Sequence, residues 1–328
     1  MTEHDRETER GGESEGDRES ERESVTERES VKEATMANAN ANAPMIELSG
    51  VGFAYEDAER FTLANLDLRI DAGTVTGIVG ASGAGKTTLA KTIAGFIPLN
   101  EGGTYRGTAS VAGRVLAEGT LSEAAAAVGL VTQNPFNQIS GARFTVREEL
   151  AFGLENRSVP RDEMELRVDE VAARLRLEPL LDRSPYALSG GQMQLVAIAS
   201  MVIMQPPVLV MDEPTSQLDP AGTRLVYDVL STLSDGGTTV VIIEHKTELL
   251  HEHCDSIAVL AGGLIVQHGT PGAVLADDRL TSWGVGETRV TTAARLARER
   301  GLLPVERALP IGVDDAVDAF SAAKGAAS

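Results

Sequence analysis

Apolar residues along this chain fall into strand-like and helix-like runs separated by turns. Ile46–Tyr55 and Phe61–Ile70 carry the clustered and alternating apolar positions of half-buried strands. The turn Asp71-Ala72-Gly73 leads into Gly73–Val79, whose Thr74–Val79 part is apolar and β-branched, as a buried strand should be. Lys86–Phe96 then predicts a helix. Val208–Met211 and Thr238–Ile243 predict two more buried strands, and Gly262–Gln267 a closing strand element. From about Gln133 to Gln205 the chain reads mainly helical. Its apolar stretch Leu195–Met204 is too short for a bilayer, which needs roughly 18–20 apolar residues, and reads as a buried helix. Beyond Pro271 short helices and turns alternate, with Val290–Gly301 the clearest helix. There is no internal repeat.

Residues 1–43 break the pattern. Glu, Arg, Ser and Thr dominate, followed by Ala-Asn repeats from Ala34 to Ala43. So little there can be buried that a disordered, acidic, low-complexity tail is expected. Met36 and Met45 are alternative starts, the second immediately before the first strand. No secretory signal pattern opens the chain.

Composition narrows the classes. The 328 residues, 42% of them apolar, suffice for one large or two modest domains with a sizeable core. A net charge of −20 repels nucleic acid and anionic membrane faces. It reads as a solvated acidic surface suited to high salt, and no nucleic acid partner is expected. Cys254 is the one cysteine, which excludes an intrachain disulfide and suits a reducing cytosol.

The chemistry is carried by strand ends. Gly80-Ala-Ser-Gly-Ala-Gly-Lys86-Thr87 fits the phosphate-loop pattern G-x-x-x-x-G-K-[ST], in the required context of buried strand before and helix after. Phosphates need close approach by backbone N–H groups, so Gly80, Gly83 and Gly85 are expected at crowded points. The helix that follows points its positive end at the phosphates. Lys86 supplies a charge for the β- and γ-phosphates, and Thr87 a hydroxyl for Mg²⁺. Asp212 ends a buried strand and is placed to hold Mg²⁺. Glu213, next to it, is placed to orient or deprotonate an attacking water. Gln133 and His245 end two other apolar runs. His251 and His253, at i and i+2, share no helical face and read as surface residues rather than metal ligands.

With Leu188-Ser189-Gly190-Gly191-Gln192, Pro214-Thr215-Ser216 and Leu218-Asp219, residues from about Met45 to Ala276 resemble an ABC transporter ATP-binding subunit. The resemblance implies an α/β P-loop NTPase fold. It has a RecA-like core, an antiparallel β subdomain and a helical signature subdomain at about 134–205. The ATPase domain would span 44–276, with 277–328 a small C-terminal extension. It implies ATP and Mg²⁺ as cofactors and Tyr55 as the aromatic platform for adenine. Gly80, Ala81, Ser82, Gly83, Ala84, Gly85, Lys86, Thr87 and Thr88 would form the phosphate site. Thr87, Gln133 and Asp212 would serve the metal, and Glu213, His245 and Gln133 catalysis. Ser189, Gly190, Gly191 and Gln192 would meet the γ-phosphate of a second subunit, and Asp219 would couple the two sites.

A narrower resemblance is to energy-coupling factor ATPases. It rests on Val128-Gly-Leu-Val-Thr-Gln-Asn-Pro-Phe-Asn-Gln138, Thr145–Gly153, Ile243-Glu-His-Lys246 and the tail around 303–319. This implies uptake of a vitamin or a transition metal such as cobalt or nickel. The partners would be a second ATPase subunit, identical or paralogous, and an integral membrane subunit at the cytoplasmic face. The competing readings are a soluble non-transport ABC ATPase and a regulatory ATP sensor. Missing heptad insertion, zinc-type cysteines, second ATPase domain and basic stripe weigh against the first. Intact Glu213 and His245 weigh against the second. Two positions depart from the family pattern. Leu195 stands where arginine is common, which puts in doubt a salt bridge bracing the signature helix, and Gln217 stands where a small residue is usual.

Overall fold

The computed structural model describes residues 44–304 and 309–326. The tail expected at 1–43 lies outside the described residues.

Strand β1 (Ile46–Tyr55) pairs antiparallel with β2 (Leu63–Ile70) on one side and with β4 (Gly103–Val111) on the other. The short β5 (Arg114–Val115) completes a four-stranded sheet in the order β2-β1-β4-β5. Strand β2 starts two residues later than the apolar pattern from Phe61 suggested. Strand β4 was invisible to that pattern because most of its residues are exposed or half-exposed.

The larger sheet holds β3 (Val75–Val79), β6 (Val128–Val131), β7 (Val208–Asp212), β8 (Thr239–Ile243), β9 (Ser256–Ala261) and β10 (Leu264–Gly269). Its order is β10-β9-β3-β8-β7-β6, parallel except for the antiparallel edge pair β9–β10. Alternating residues of β7 enter two different cores. Leu209 and Met211 join the cluster that includes the helical region, and Val208 and Val210 join the one that includes β1 and β2. Strands β3, β7 and β8 are buried along their whole length, which is why they read as continuous apolar runs.

Helix α1 (Lys86–Ile93) follows the glycine loop but does not reach Phe96. Gly95 takes a left-handed φ of +79°, and a new short helix, α2 (Phe96–Leu99), starts after it. Helix α3 (Leu121–Ala127) leads into β6. The helical region then comprises α4 (Val146–Asn156), α5 (Arg161–Arg174) and α6 (Gly190–Val202). Thr145 caps α4 in a reciprocal box with Glu148.

Helix α7 (Pro220–Asp235) leads to β8, and α8 (Thr247–His253) follows it. A Cβ on Gly77 of β3 would stand 3.0 Å from Leu250 Cδ2 and 3.3 Å from Cys254 Sγ, so α8 rests directly on that strand. Among the described residues three α-helices follow β10: α9 (Pro271–Leu275), α10 (Arg289–Glu299) and α11 (Val313–Ala326). This C-terminal stretch is joined to the core. Leu280, Val285 and Ile311 are buried in the main cluster, and Arg289 bonds Glu248 of α8 through its backbone N–H and Nε. Among the described residues no helix is long and apolar enough to cross a membrane.

Two surface expectations are corrected. His253 is half-buried and stacks on the Tyr227 ring at 4.5 Å, and His251 is half-buried with Nε2 turned toward Gly312. Leu195 packs as an apolar residue against the main core, in place of the salt bridge that an arginine there would make.

Candidate functional site

Three parallel strands, β3, β8 and β7, lie side by side, and each ends in a residue with chemistry. β3 runs into Gly80–Gly85. Two of the three glycines are crowded by the protein: a Cβ at Gly80 would stand 2.1 Å from the Leu260 carbonyl oxygen, and one at Gly85 2.9 Å from that of Thr62. Gly83 is different from what the sequence suggested. Its φ is +78°, but nothing lies within 4 Å of the position a Cβ would take. Ala81 and Ala84 close the loop through an N–H to carbonyl bond of 3.1 Å, Ser82 is exposed, and the Leu89 N–H returns to Gly85 at 2.8 Å.

Lys86 folds back over this loop. Its Nζ donates to the carbonyls of Gly80 (2.8 Å) and Ala81 (3.0 Å), with only 7% of the residue exposed. Burial pulls its pKa down, against the pull of the Glu213 and Asp212 carboxylates. Thr87 Oγ1 donates to Asp212 Oδ2 at 2.6 Å. Burial pushes the Asp212 pKa up, and the Thr87 hydrogen bond opposes it. A hydroxyl and a carboxylate oxygen side by side suit a hard divalent cation such as Mg²⁺. A cavity of about 240 Å³ opens there, lined by Thr87, Gln133, Asn134 and Asp212 among others. Thr88 is buried, and its hydroxyl pairs with that of Tyr55 at 3.2 Å. Tyr55 also meets the Phe53 ring edge-on, at 4.9 Å between centroids.

Glu213 stands at the centre. Its backbone takes φ +50°, a costly conformation for a residue with a Cβ and one that concentrates at functional sites. The turn is anchored by Glu213 N–H to the Ile243 carbonyl at 3.0 Å. Gln133 Nε2 donates to Glu213 Oε2 at 2.7 Å, and His245 Nε2 lies 3.1 Å from Glu213 Oε1. Residues 112 positions apart in sequence thus meet on one carboxylate.

Ser189, Gly190, Gly191 and Gln192 form the start of α6. The Ser189 hydroxyl accepts from Gln192 N–H, and the Gln192 side chain accepts from Ser189 N–H, a reciprocal capping box. Asp219 caps α7 by accepting from Gly222 N–H at 2.7 Å. Gln217 lies between the two caps: a Cβ on Gly190 would stand 2.5 Å from its Oε1, and one on Gly191 3.1 Å from its carbonyl oxygen. The two glycines therefore leave room for the unusual Gln217.

Sequence reasoning gave no role to Thr215, Glu244 and Lys246: Thr215 bonds both of the others, and Glu244 accepts the His245 backbone N–H. The available signal was a charged pair flanking a strand-end histidine. It passed over the role of Gln138 too, whose side chain accepts from Thr132 N–H and donates to the Ala197 carbonyl of α6.

A profile of the ABC transporter family matches residues 63–216. The energy-coupling factor transporter ATP-binding protein EcfA1 of Lacticaseibacillus paracasei is 41% identical over 231 residues, covering 70% of this chain and 80% of that protein. Among solved structures, CbiO1 of Clostridium perfringens, part of the ABC transporter complex CbiONQ, superposes with a TM-score of 0.63 at 29% identity. That match covers 74% of this chain and 94% of CbiO1. A dimeric ATP-binding cassette in a post-hydrolysis state with ADP and phosphate superposes with a TM-score of 0.61 at 27% identity, covering 69% of this chain and 99% of that one. A phosphate loop and a carboxylate pair at neighbouring strand ends, with a Ser-Gly-Gly-Gln helix start in the helical region, agree with these likenesses: the chain belongs to the ABC transporter ATP-binding proteins, of the energy-coupling factor type, and is an ATP hydrolase.

Proposed function

We propose that this chain hydrolyses ATP to drive an energy-coupling factor importer of a vitamin or a transition metal ion. The single observation that carries the catalytic part is the Glu213 carboxylate held between Gln133 Nε2 and His245 Nε2. A carboxylate with two partners from separate elements is fixed in direction, as a general base must be. Glu213 takes the proton of the attacking water, and His245 contacts the γ-phosphate. Backbone N–H groups of Gly80–Gly85, with Lys86, Thr87 and Thr88, hold the phosphates, and Tyr55 stacks on adenine. Thr87 and Asp212, with Gln133, would hold Mg²⁺, which neutralises phosphate charge when bound.

The helix start Ser189–Gln192 meets the γ-phosphate bound to a second subunit, and Asp219 links the two sites. The dimeric state of the cassette bound to ADP and phosphate supports this pairing. ATP then favours the closed pair because only closure offers both sets of contacts, and hydrolysis removes that bias. Gln133 and the helical region pass the motion to an integral membrane subunit at the cytoplasmic face. Membership of CbiO1 in a transporter complex supports that partner. The solute would be chosen by the membrane subunits.

The test is Glu213→Gln. The variant binds ATP, accumulates as an ATP-dependent dimer on size exclusion, and turns over about 10²- to 10⁴-fold more slowly. Wild-type turnover would sink the assignment of the base. Co-purification of the full chain with an integral membrane protein in mild detergent tests the transport half, and a chain that purifies with none points to a soluble ATPase.

A further inference from the structure

The two residues flanking His245 both reach back to one residue, Thr215. Thr215 is fully buried and lies two positions beyond Glu213. On one side, Glu244, only 3% exposed, accepts the Thr215 hydroxyl on Oε1. Its Oε2 accepts the His245 backbone N–H at 2.9 Å. On the other side, Lys246 Nζ donates to Thr215 Oγ1 at 2.9 Å and to the Thr215 carbonyl at 3.2 Å.

The Thr215 hydroxyl therefore accepts from an ammonium and donates to a carboxylate. Hydrogen bonds to charged groups are about twice as strong as neutral ones, and chains of them polarise one another in a buried setting. Geometry gives the arrangement its meaning. The Glu244 carboxylate fixes the peptide entering His245, and Lys246 fixes the residue leaving it. Both are tied to the short segment that begins at Glu213. The ring of His245 is half-exposed, yet its Nε2 is held 3.1 Å from Glu213 Oε1.

We propose that Thr215, Glu244 and Lys246 are positioning residues: their hydrogen-bonded clamp sets His245 against Glu213 and so governs the rate of ATP hydrolysis. The proposal rests on the reading of Glu213 and His245 given above. A misplacement of about 1 Å at a catalytic group costs on the order of 100-fold, so the clamp acts on kcat rather than on nucleotide binding.

Steady-state ATPase assays on the full-length chain decide it. Thr215→Val, which removes both side-chain bonds of the clamp, lowers kcat by roughly 10- to 100-fold with KM for ATP within about 2-fold. Thr215→Ser restores kcat. In a His245→Ala background, Thr215→Val brings no further loss, because the clamp has nothing left to position. Wild-type kcat in Thr215→Val, or an added loss in the His245→Ala background, overturns the proposal. Wild-type kcat in His245→Ala overturns the underlying reading of the site instead. Should Thr215→Val fail to fold, Lys246→Met removes one tether from the exposed side. Its expected outcome is a fall in kcat of about 3- to 10-fold at unchanged melting temperature, and an unchanged kcat overturns the clamp.

Discussion

Gly80 and Gly83 share one motif but do different work, and alanine at each should separate them. At Gly80 the added methyl would stand 2.1 Å from the Leu260 carbonyl oxygen, far inside contact distance, with φ at +156°. The overlap must be relieved by moving backbone. Overpacking costs about 1–3 kcal/mol and the strained dihedral another 1–3 kcal/mol, together about 2–6 kcal/mol. At Gly83 the methyl meets no protein atom within 4 Å. Its left-handed φ costs about 1–2 kcal/mol, offset by about 0.4–1 kcal/mol from a stiffer unfolded chain. A domain of this size loses about 2 °C per kcal/mol, so Gly83→Ala lowers Tm by about 2 °C and Gly80→Ala by about 4–12 °C. Nucleotide affinity shows the other half. The Gly83 methyl projects into open space, the side from which the proposed phosphate site would be approached. Loss of one hydrogen bond to a charged group, about 1.5–3 kcal/mol, weakens ATP binding about 10- to 150-fold. Thermal unfolding and equilibrium titration with a fluorescent ATP analogue measure the two quantities. Equal destabilisation by both variants, or wild-type ATP affinity in Gly83→Ala, refutes the division of labour.

Tyr55→Ala weakens ATP binding about 5- to 150-fold by removing a stacking face worth about 1–3 kcal/mol, whereas Tyr55→Phe stays near wild type. The same titration checks this, and equal losses in both variants would assign the effect to the Tyr55–Thr88 hydrogen bond instead. Arg279 holds the Asp277 carboxyl at about 2, below its ordinary 3.8. A carboxylate with a depressed pKa contributes stability above the ordinary value and loses it as pH falls through the lowered one. Asp277→Asn therefore lowers Tm at pH 7, by progressively less as pH falls from about 4 through 2, as a pH series of melting curves checks.

Much of the sheet was legible because β3, β7 and β8 are covered on both faces and must be apolar throughout. Their ends were legible for the same reason, since Asp212, Glu213 and His245 break runs that could not otherwise stop at polar residues. Strand β4 was not, because seven of its nine positions are half-exposed or more, six of them Gly, Thr, Ser or Arg, and its stability comes from pairing with β1. The early end of α1 turned on Gly95, whose left-handed φ no periodicity records. The histidines of α8 failed differently. Spacing excluded a shared helical face, but only tertiary packing could put His253 on Tyr227. The clamp on His245 was equally hidden, because it joins residues 29 to 31 positions apart.

Gly77 has a consequence for how the site is held together. It presents hydrogen where any other residue would present a side chain, so the Leu250 and Cys254 side chains of the α8 end seat directly on the β3 backbone. One of these elements runs into Gly80–Gly85 and the other follows His245. A side chain at position 77 would press on Leu250 and Cys254 and so push α8 off the strand. The strand that leads into Gly80–Gly85 and the helix that follows His245 are thus in register through one glycine, whereas Gln133, on the loop beyond β6, reaches Glu213 from a different element.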